Sequence, residues 1–521
     1  MTDAAAIVEA VGPGYRFDGP ALELGGLMTD AESLSDVHIR IPIQMLNRHG
    51  LVAGATGTGK TKTLQLMAEQ LAAAGVPVFA ADIKGDLSGL ATPGAASEKV
   101  SARARTVGQE WQARGFPVEY FALGGVGTGI PVRVTMEGFG PTLLSKVLGL
   151  NDTQESSLGL VFHYAQQKQL KLVDLADLRS VVQYLVSDEG KADLKGLGGL
   201  SPATAGVILR DLIAFSDQGA DAFFGEPAFD TSDLLRTGAD GTGLISLMEL
   251  PNLQDRPAIF STFLMWLLGD LYRRLPEVGD VDKPKLVFFF DEAHLLFNDA
   301  SDAFLDQITQ TVRLIRSKGV GVFFVTQSPT DVPEEVLAQL GSRVQHQLRV
   351  NTPNDAKALK ATVNTYPTSS YDDLGKVIQT LGIGEAIVTV MNERGAPTPV
   401  AWTRLRAPES LMAPTAAATI EAQVKASPLY AKYATAADPE SAAETLDARM
   451  KAAEEAAQQA EREQAEAKKA ARGARSRPTS STSRRKQDDD SMLEQVVKSS
   501  AFKNAMNTAA REIVKGLFRR R

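Results

Sequence analysis

One eight-residue segment, Gly54–Thr61, constrains the fold of this chain more than any other feature. It reads Gly-Ala-Thr-Gly-Thr-Gly-Lys-Thr and matches the pattern of a phosphate-binding loop at every fixed position. An apolar run over residues 51–54 precedes the loop and predicts a buried strand. A helix is predicted to follow, and the residues on its apolar face are Leu64, Met67, Ala68 and Leu71. The loop therefore lies at a strand-to-helix junction, where backbone N–H groups and the helix dipole attract phosphate.

The segments after the loop predict a parallel α/β core. Gly75 and Pro77 end the helix, and Val78–Ala81 is the next buried strand, so the order is strand, helix, strand. Further strands are predicted at Val118–Leu123, Val132–Met136, Leu244–Met248, Leu286–Phe290, Val320–Thr326 and Ser342–Val350. Residues 385–404 predict a hairpin that turns at Asn392–Gly395.

Composition divides the 521 residues into five predicted segments. These are a short Gly-rich N-terminal segment over 1–37, an α/β core over 38–410 with a mostly helical insertion at about 142–236, a helical linker over 411–472, a disordered Ser/Arg/Asp-rich linker over 473–490, and an amphipathic basic helix over 491–521. We expect the organised core to end near Pro408.

Charge and composition exclude several classes of protein. The net charge is −8, although residues 471–521 carry +8, so a uniformly basic DNA-coating protein is excluded but a local basic channel is not. The absence of cysteine excludes disulfides, thiolate metal sites and cysteine nucleophiles. No apolar stretch approaches the ~20 residues of a membrane span, and the N-terminus lacks a secretory pattern. We therefore expect a cytoplasmic protein with no integral membrane segment.

The phosphate-binding loop predicts a nucleotide site that uses ATP and Mg²⁺. Lys60 would reach the β- and γ-phosphates, and the Thr61 hydroxyl would bind Mg²⁺. The predicted nucleotide-binding residues are Gly54, Ala55, Thr56, Gly57, Thr58, Gly59, Lys60, Thr61 and Lys62. The alternative is a glycine turn that matches the pattern by chance.

A pair of adjacent acids predicts hydrolysis. The apolar strand Leu286–Phe290 ends at Asp291 and Glu292, which places two carboxylates at its carboxyl end. Asp291 would hold Mg²⁺ through water, and Glu292 would polarise the attacking water. The alternative is a strand that ends in an ordinary surface turn.

Two other strands end in polar residues. Gln327 follows Val320–Thr326 and could sense the γ-phosphate, or it could serve only as a hydrogen-bonded strand end. Asp82, followed by Lys84-Gly85-Asp86, ends the strand after the loop helix and should face the same edge, unless this segment is a structural turn.

A ring ATPase would also need an arginine that neutralises charge in the transition state. Arg343 is the first candidate because it begins the strand after Gln327, and Arg316 and Arg313 follow. The alternative for each is an ion pair or a solvated side chain.

Together these motifs resemble the HerA/FtsK superfamily of P-loop ATPases, and within it the bacterial HerA-like, YjgR-type group. The segments that carry the resemblance are His49–Gly57, Asp82–Asp86, Phe288–Phe297, Arg313–Gly321, Val325–Pro329 and Arg343–His346. The resemblance covers about 38–410 and implies a RecA-like core, a homo-oligomeric, hexameric ring, and ATP-driven movement on DNA. It also implies that Lys60 and Thr61 bind nucleotide, that Asp291 and Glu292 serve catalysis, and that Gln327 is the sensor.

The chain departs from this family at its N-terminus. HerA proteins carry an N-terminal β-barrel that engages a nuclease, whereas only residues 1–53 precede the loop here, so the nuclease partnership is in doubt. An ATPase that moves protein or joins a membrane-associated assembly is the alternative to a DNA motor. A GTPase is disfavoured because the chain has no Asn/Thr-Lys-x-Asp guanine-binding motif, and an ABC ATPase because it has no Leu-Ser-Gly-Gly-Gln.

Overall fold

The structure is a computed structural model. The residues that it describes are 4–29, 32–194, 196–250, 256–279, 281–297 and 302–475. The chain divides into two compact units, Met1–Arg449 and Met450–Arg521. The second unit is described only up to Arg475, where it is helical. Nearly all of the predicted segment 473–490 and the whole of 491–521 lie outside the described residues, so both remain predictions.

The described residues form strands and helices, with six helices in succession, α4–α9, between β6 and β7. The strands are β1 (Ala21–Met28), β2 (Ser33–Pro42), β3 (Gly50–Ala53), β4 (Val78–Asp82), β5 (Val118–Leu123), β6 (Ile130–Val132), β7 (Ile245–Glu249), β8 (Leu286–Phe290), β9 (Val320–Thr326), β10 (Ser342–Gln345), β11 (Glu385–Thr389) and β12 (Ala401–Leu405). The helices are α1 (Ala4–Val11), α2 (Lys60–Ala73), α3 (Glu98–Thr106), α4 (Met136–Phe139), α5 (Pro141–Leu148), α6 (Asp152–Gln167), α7 (Leu175–Val186), α8 (Asp188–Asp193), α9 (Pro202–Asp217), α10 (Pro257–Arg274), α11 (His294–Phe297), α12 (Asp302–Ile315), α13 (Glu334–Leu337), α14 (Pro353–Asn364), α15 (Leu374–Thr380), α16 (Ala417–Ala426), α17 (Pro428–Tyr433) and α18 (Ala442–Arg475).

The strands of the described residues form one sheet in the order β2-β1-β12-β11-β10-β3-β9-β8-β4-β7-β5-β6. In this sheet order, each strand from β2 through β11 pairs antiparallel with the next, so that β11 is antiparallel to β10. From β10 through β6, each strand pairs parallel with the next. Every residue of β3, β4, β8 and β9 is buried, as expected for parallel strands covered on both faces. The predicted α/β class, with a phosphate-binding-loop core and a mostly helical insertion, is confirmed.

The elements around the loop form where the sequence predicts them. On α2, the four residues of the predicted apolar face are fully buried. The helix ends before Gly75, whose φ of +72° is a left-handed conformation that glycine adopts without strain. The predicted hairpin over 385–404 is also confirmed, because β11 pairs antiparallel with β12 and the Gly395 N–H donates to the Asn392 carbonyl over 2.8 Å.

Two predicted strands are wrong in extent. The prediction Val132–Met136 fails because β6 ends at Val132 and the Thr135 hydroxyl caps α4, accepting from the Gly138 N–H over 3.1 Å. The prediction Ser342–Val350 is too long because β10 ends at Gln345. Beyond that point the Gln347 carbonyl accepts a hydrogen bond from the Ala55 N–H of the phosphate-binding loop.

The sheet and the core extend beyond the predicted limits. The weakly patterned N-terminal segment contributes β1 and the first half of β2 to the antiparallel end of the sheet. The core continues past Pro408, because Leu429, Tyr433 and Leu446 are buried. Leu429 and Tyr433 lie on the six-residue helix α17, and Leu446 lies near the start of α18, so few buried positions mark the end of the core in the sequence.

Candidate functional site

The phosphate-binding loop leaves β3 at the carboxyl edge of the sheet and is anchored by both neighbouring strands. The Gly54 N–H donates to the Thr326 carbonyl at the end of β9 over 3.2 Å. The Ala55 N–H donates to the Gln347 carbonyl, just after β10, over 2.8 Å. Gly57 and Gly59 have φ angles of +81° and +117°, which other residues adopt only with strain. The glycines are therefore required by the curvature of the loop.

Lys60 closes the loop from the first turn of α2. Its Nζ donates to the carbonyls of Gly54 over 2.6 Å and Ala55 over 3.3 Å. The side chain is buried, and burial lowers the pKa of Lys60. The neighbouring residues of the loop are more accessible toward its tip: Thr58 is buried, Ala55, Gly59, Thr61 and Lys62 are half-buried, and Thr56 and Gly57 are exposed.

Asp291 and Glu292 follow β8 at the same edge, and both are buried. The Asp291 Oδ1 accepts a hydrogen bond from the Glu292 N–H over 2.9 Å. Burial, together with the neighbouring Glu292, raises the pKa of Asp291 to about 7. Glu292 has a φ of +47°, which is rare for a residue other than glycine and turns its backbone away from the strand.

Two side chains lie against the Glu292 carboxylate. Lys84 Nζ donates to Oε1, and His294 Nδ1 lies 3.3 Å from Oε2. Burial opposes ionisation of Glu292, but the hydrogen bond and charge of Lys84 outweigh it, so the pKa is lowered. Oε2 accepts no hydrogen bond from the described residues. This oxygen is buried and faces His294.

Asp82 organises the turn that carries Lys84. Its fully buried carboxylate accepts from the backbone N–H groups of Gly85 over 2.7 Å, Asp86 over 3.2 Å and Leu87 over 2.8 Å. Burial raises the pKa of Asp82 to about 6. The structural-turn interpretation of Asp82 is thus supported. Sequence reasoning missed Lys84, although it had marked the segment that contains it.

Gln327 lies at the predicted edge, immediately after β9, and its side chain is exposed. The preceding residue is fixed, because the Thr326 hydroxyl donates to the Asp331 Oδ2 over 2.7 Å. The γ-phosphate-sensing role of Gln327 remains a prediction.

His346 lies behind the loop and was assigned no role by sequence reasoning. It is fully buried at the end of β10, and its Nε2 lies 2.9 Å from the Thr63 hydroxyl on α2. A Cβ on Gly54 would lie only 2.5 Å from the His346 Cβ, so the loop packs directly on this side chain. Burial lowers the pKa of His346 to about 3, so the ring is neutral at pH 7. The only sequence signal was its place in the Arg343–His346 segment.

The candidate arginines lie at the opposite edge of the sheet, where β10 begins. Arg343, Arg316, Arg313 and Arg48 line one cavity of about 510 Å³, which we call the arginine cavity. None of the described residues lining it is acidic. The Arg343 Nη1 donates to the Thr365 carbonyl over 3.3 Å. Within one chain, therefore, the structure does not bring these arginines to the phosphate-binding loop.

Comparison with known proteins places this geometry in a family. The model of the helicase HerA-like C-terminal family matches residues 28–520. The chain belongs to this family. No curated protein gives a significant match to this HerA-like chain.

Two solved structures are similar to this chain over much of its length. The plasmid coupling protein TrwB in complex with ADP and Mg²⁺ is 16% identical, with a TM-score of 0.49 over 77% of this chain and 100% of that chain. VirB4 of Thermoanaerobacter pseudethanolicus is 15% identical, with a TM-score of 0.47 over 75% of this chain and 97% of that chain. In the described part of the HerA-like chain, no helix is both long and apolar enough to cross a membrane.

Proposed function

We propose that this HerA-like chain hydrolyses ATP and couples hydrolysis to movement on, or unwinding of, DNA as a ring of identical subunits. The observation that carries the proposal is the carboxyl edge of the sheet, where Lys60 of a complete phosphate-binding loop is joined by the buried acids Asp291 and Glu292. Membership of a helicase-like family supports DNA as the substrate.

The residues present fit ATP with Mg²⁺. Among the described residues, no group of three His, Asp or Glu side chains is arranged to hold a metal ion. This suits Mg²⁺, which proteins commonly hold through one or two side chains together with phosphates and water. Thr61 and Asp291 would hold the ion, which would neutralise phosphate charge. Lys60 would exchange the carbonyls of Gly54 and Ala55 for the phosphates.

Hydrolysis would then depend on Glu292. Its lowered pKa keeps the carboxylate ionised at pH 7. The Glu292 carboxylate would accept a proton from water as the water oxygen bonds to the γ-phosphorus and the bond to the β-phosphate bridging oxygen breaks, giving ADP and phosphate. Because the arginine cavity lies at the other edge of the sheet, Arg343, Arg316 or Arg313 would act on the nucleotide of a neighbouring copy in the ring.

Steady-state ATP hydrolysis with and without single- and double-stranded DNA tests this function, with the Glu292→Gln variant as the blank. We expect DNA to stimulate hydrolysis, and the stimulation to grow with DNA length, because a motor that tracks the strand continues to turn over along it. Hydrolysis indifferent to every nucleic acid would contradict the DNA motor and favour the protein-substrate alternative.

A further inference from the structure

A segment from the C-terminal part of the core lies against the helix that follows the phosphate-binding loop. It comprises residues 406–416, which join β12 to α16, and we call it the strap. Two of its polar residues, Ser410 and Thr415, are buried. The strap has no part in the hydrolysis proposed above, although it contacts α2 close to Lys60.

On one side, two buried polar side chains of α2 bond the strap. The Glu69 carboxylate accepts from the backbone N–H groups of Glu409 and Ser410, over 2.9 Å each, and from the Ser410 hydroxyl. The Gln65 Nε2 donates to the Ser410 hydroxyl over 2.6 Å and to the Leu411 carbonyl over 3.0 Å. Ser410 is therefore the residue through which both side chains of α2 hold the strap.

On the other side, the strap bonds the segment that follows the Lys84 turn. The Thr415 N–H donates to the Ser88 hydroxyl over 3.2 Å, and the Thr415 hydroxyl donates to the Ser88 carbonyl over 2.8 Å. A Cβ on Gly89 would lie only 2.0 Å from the Leu411 carbonyl oxygen. The two segments thus approach each other backbone to backbone.

The chemistry of these contacts indicates more than packing. Glu69 is 2% exposed and Gln65 is fully buried. Burial of a carboxylate or an amide costs free energy that hydrogen bonds must offset, whereas an apolar side chain would fill the same space without that cost. Hydrogen bonds are directional, so these two side chains fix the position of the strap along α2.

We propose that Glu69 and Ser410 are positioning residues for hydrolysis, because the strap holds the turn that presents Lys84 in place relative to α2 and so keeps Lys84 on the Glu292 carboxylate. The inference rests on the proposed ATP hydrolysis, in which Glu292 accepts the proton. The spans of chain between the strap contacts and the site are short, since Gln65 lies five residues after Lys60 and Ser88 lies four residues after Lys84.

The phosphate-binding loop has its own anchors at the ends of β9 and β10, which the strap does not supply. Loss of the strap contacts should therefore displace Lys84 and leave the phosphate contacts in place. The rate constant kcat should fall, because a small misplacement of a catalytic group is costly, whereas the KM for ATP should hardly change.

Steady-state phosphate release by the full chain with Mg·ATP tests the two ends of the strap. Ser410→Ala removes the hydroxyl that α2 holds, and Thr415→Val removes the hydroxyl at Ser88 without changing the shape of the side chain. We expect each variant to lower kcat about fivefold and to keep KM within about twofold. If one variant fails to fold, the other decides.

A double-mutant cycle with Lys84→Ala tests whether the strap acts through Lys84. Lys84→Ala alone should lower kcat about tenfold. In that background Ser410→Ala should lower kcat by less than about twofold, because the group that the strap positions is already absent. A residue with a merely structural role would instead lower kcat by the same factor in both backgrounds.

Ser441→Ala is the matched control. Ser441 is also a buried serine of the C-terminal part of the core, and its hydroxyl donates to a buried carboxylate, that of Asp177 on α7. Thermal unfolding should show a loss of stability similar to that of Ser410→Ala, but kcat should stay at the wild-type value.

Different results identify which idea fails. If the wild type turns over ATP and both strap variants keep its kcat, the ATPase stands and the positioning role is wrong. The role is also wrong if KM rises while kcat is unchanged, if the cycle with Lys84→Ala is additive, or if Ser441→Ala lowers kcat equally. If the wild type releases phosphate no faster than Glu292→Gln, the proposed hydrolysis fails and the role of the strap fails with it.

Discussion

At the scale of single residues, the site separates two acids that are adjacent in sequence. Burial holds the pKa of Asp291 near 7, whereas Lys84 lowers the pKa of Glu292 despite its burial. The turn organised by Asp82 contributes to this difference, because it places the Lys84 ammonium where it donates a hydrogen bond to Glu292.

Substitution of two residues should separate binding from hydrolysis. Lys60→Ala removes the cation that meets the phosphates, so we expect ATP binding or turnover to be abolished. Glu292→Gln keeps the shape of the side chain but cannot accept a proton, so binding should persist while the rate constant kcat falls by about 10²–10⁴. Titration with a fluorescent ATP analogue and a phosphate-release assay measure the two effects. Wild-type turnover in either variant, with contaminating ATPases excluded, would remove that assignment.

At the scale of elements, β10 connects the two edges of the sheet through four residues. Arg343 lies near its amino end in the arginine cavity, and His346 follows its carboxyl end beneath the loop. The His346 N–H also donates to the Ala53 carbonyl over 2.7 Å, immediately before the loop. The end of this strand thus supports the loop from below.

The buried His346 should make stability depend on pH. Its pKa is about 3 in the folded chain but near 6.5 when unfolded, so the unfolded chain binds more protons between these values. Stability from this residue is therefore complete above pH 6.5 and is lost as the pH falls toward 3. Between pH 7 and pH 5 the loss should be about 2 kcal/mol.

Urea unfolding of the wild type and the His346→Gln variant measures this contribution. We expect the variant to be less stable at pH 7, because it repacks the support of the loop, but to lose less stability than the wild type on acidification to pH 5. His163→Gln is the matched control, since His163 is exposed on α6. Equal losses in the wild type and the His346→Gln variant would show that His346 does not titrate on unfolding.

Sequence reasoning located the elements whose signals are local. The phosphate-binding loop, the strand before Asp291 and the hairpin at Asn392–Gly395 each combine a fixed motif or turn with an apolar run, so they could be predicted. The role of His346 could not be, because its contact with Thr63 joins residues 283 positions apart. Lys84 likewise meets Glu292 only after β4 and β8 pair in the sheet.

The limits of the core were harder to predict than its centre. The antiparallel end of the sheet depends on β1 pairing with β12, and neither strand alternates cleanly between apolar and polar residues. The C-terminal boundary was missed for a similar reason. Buried Glu69 accepts hydrogen bonds from the backbone N–H groups of Glu409 and Ser410, over 2.9 Å each, and apolar periodicity does not reveal such a contact.

At the scale of the whole molecule, the sheet keeps opposite chemistries at its two edges. The carboxyl edge holds Lys60 with Asp291 and Glu292, and the amino edge holds the arginine cavity without an acid among its described lining residues. Clustered arginines repel one another in the absence of an anion. A bound nucleotide presented by a second copy would supply that anion, and each copy would then complete the site of its neighbour.

Mixing variants tests whether the arginines act between copies. Lys60→Ala copies lack a working loop but keep the arginine cavity, and Arg343→Ala, Arg316→Ala or Arg313→Ala copies have the opposite defect. We expect each variant alone to have little ATPase activity and an equimolar mixture with Lys60→Ala to regain part of it, because intact loops then meet intact arginines. The arginine whose variant is rescued is the one that acts on the neighbouring nucleotide.

The matched control is a mixture of Lys60→Ala copies with Glu292→Gln copies. This mixture should stay inactive, because both substitutions damage the carboxyl edge of the sheet and no copy then has an intact loop site. If co-purification shows that the copies assemble and no arginine variant is rescued, the arginine cavity does not complete a neighbouring site.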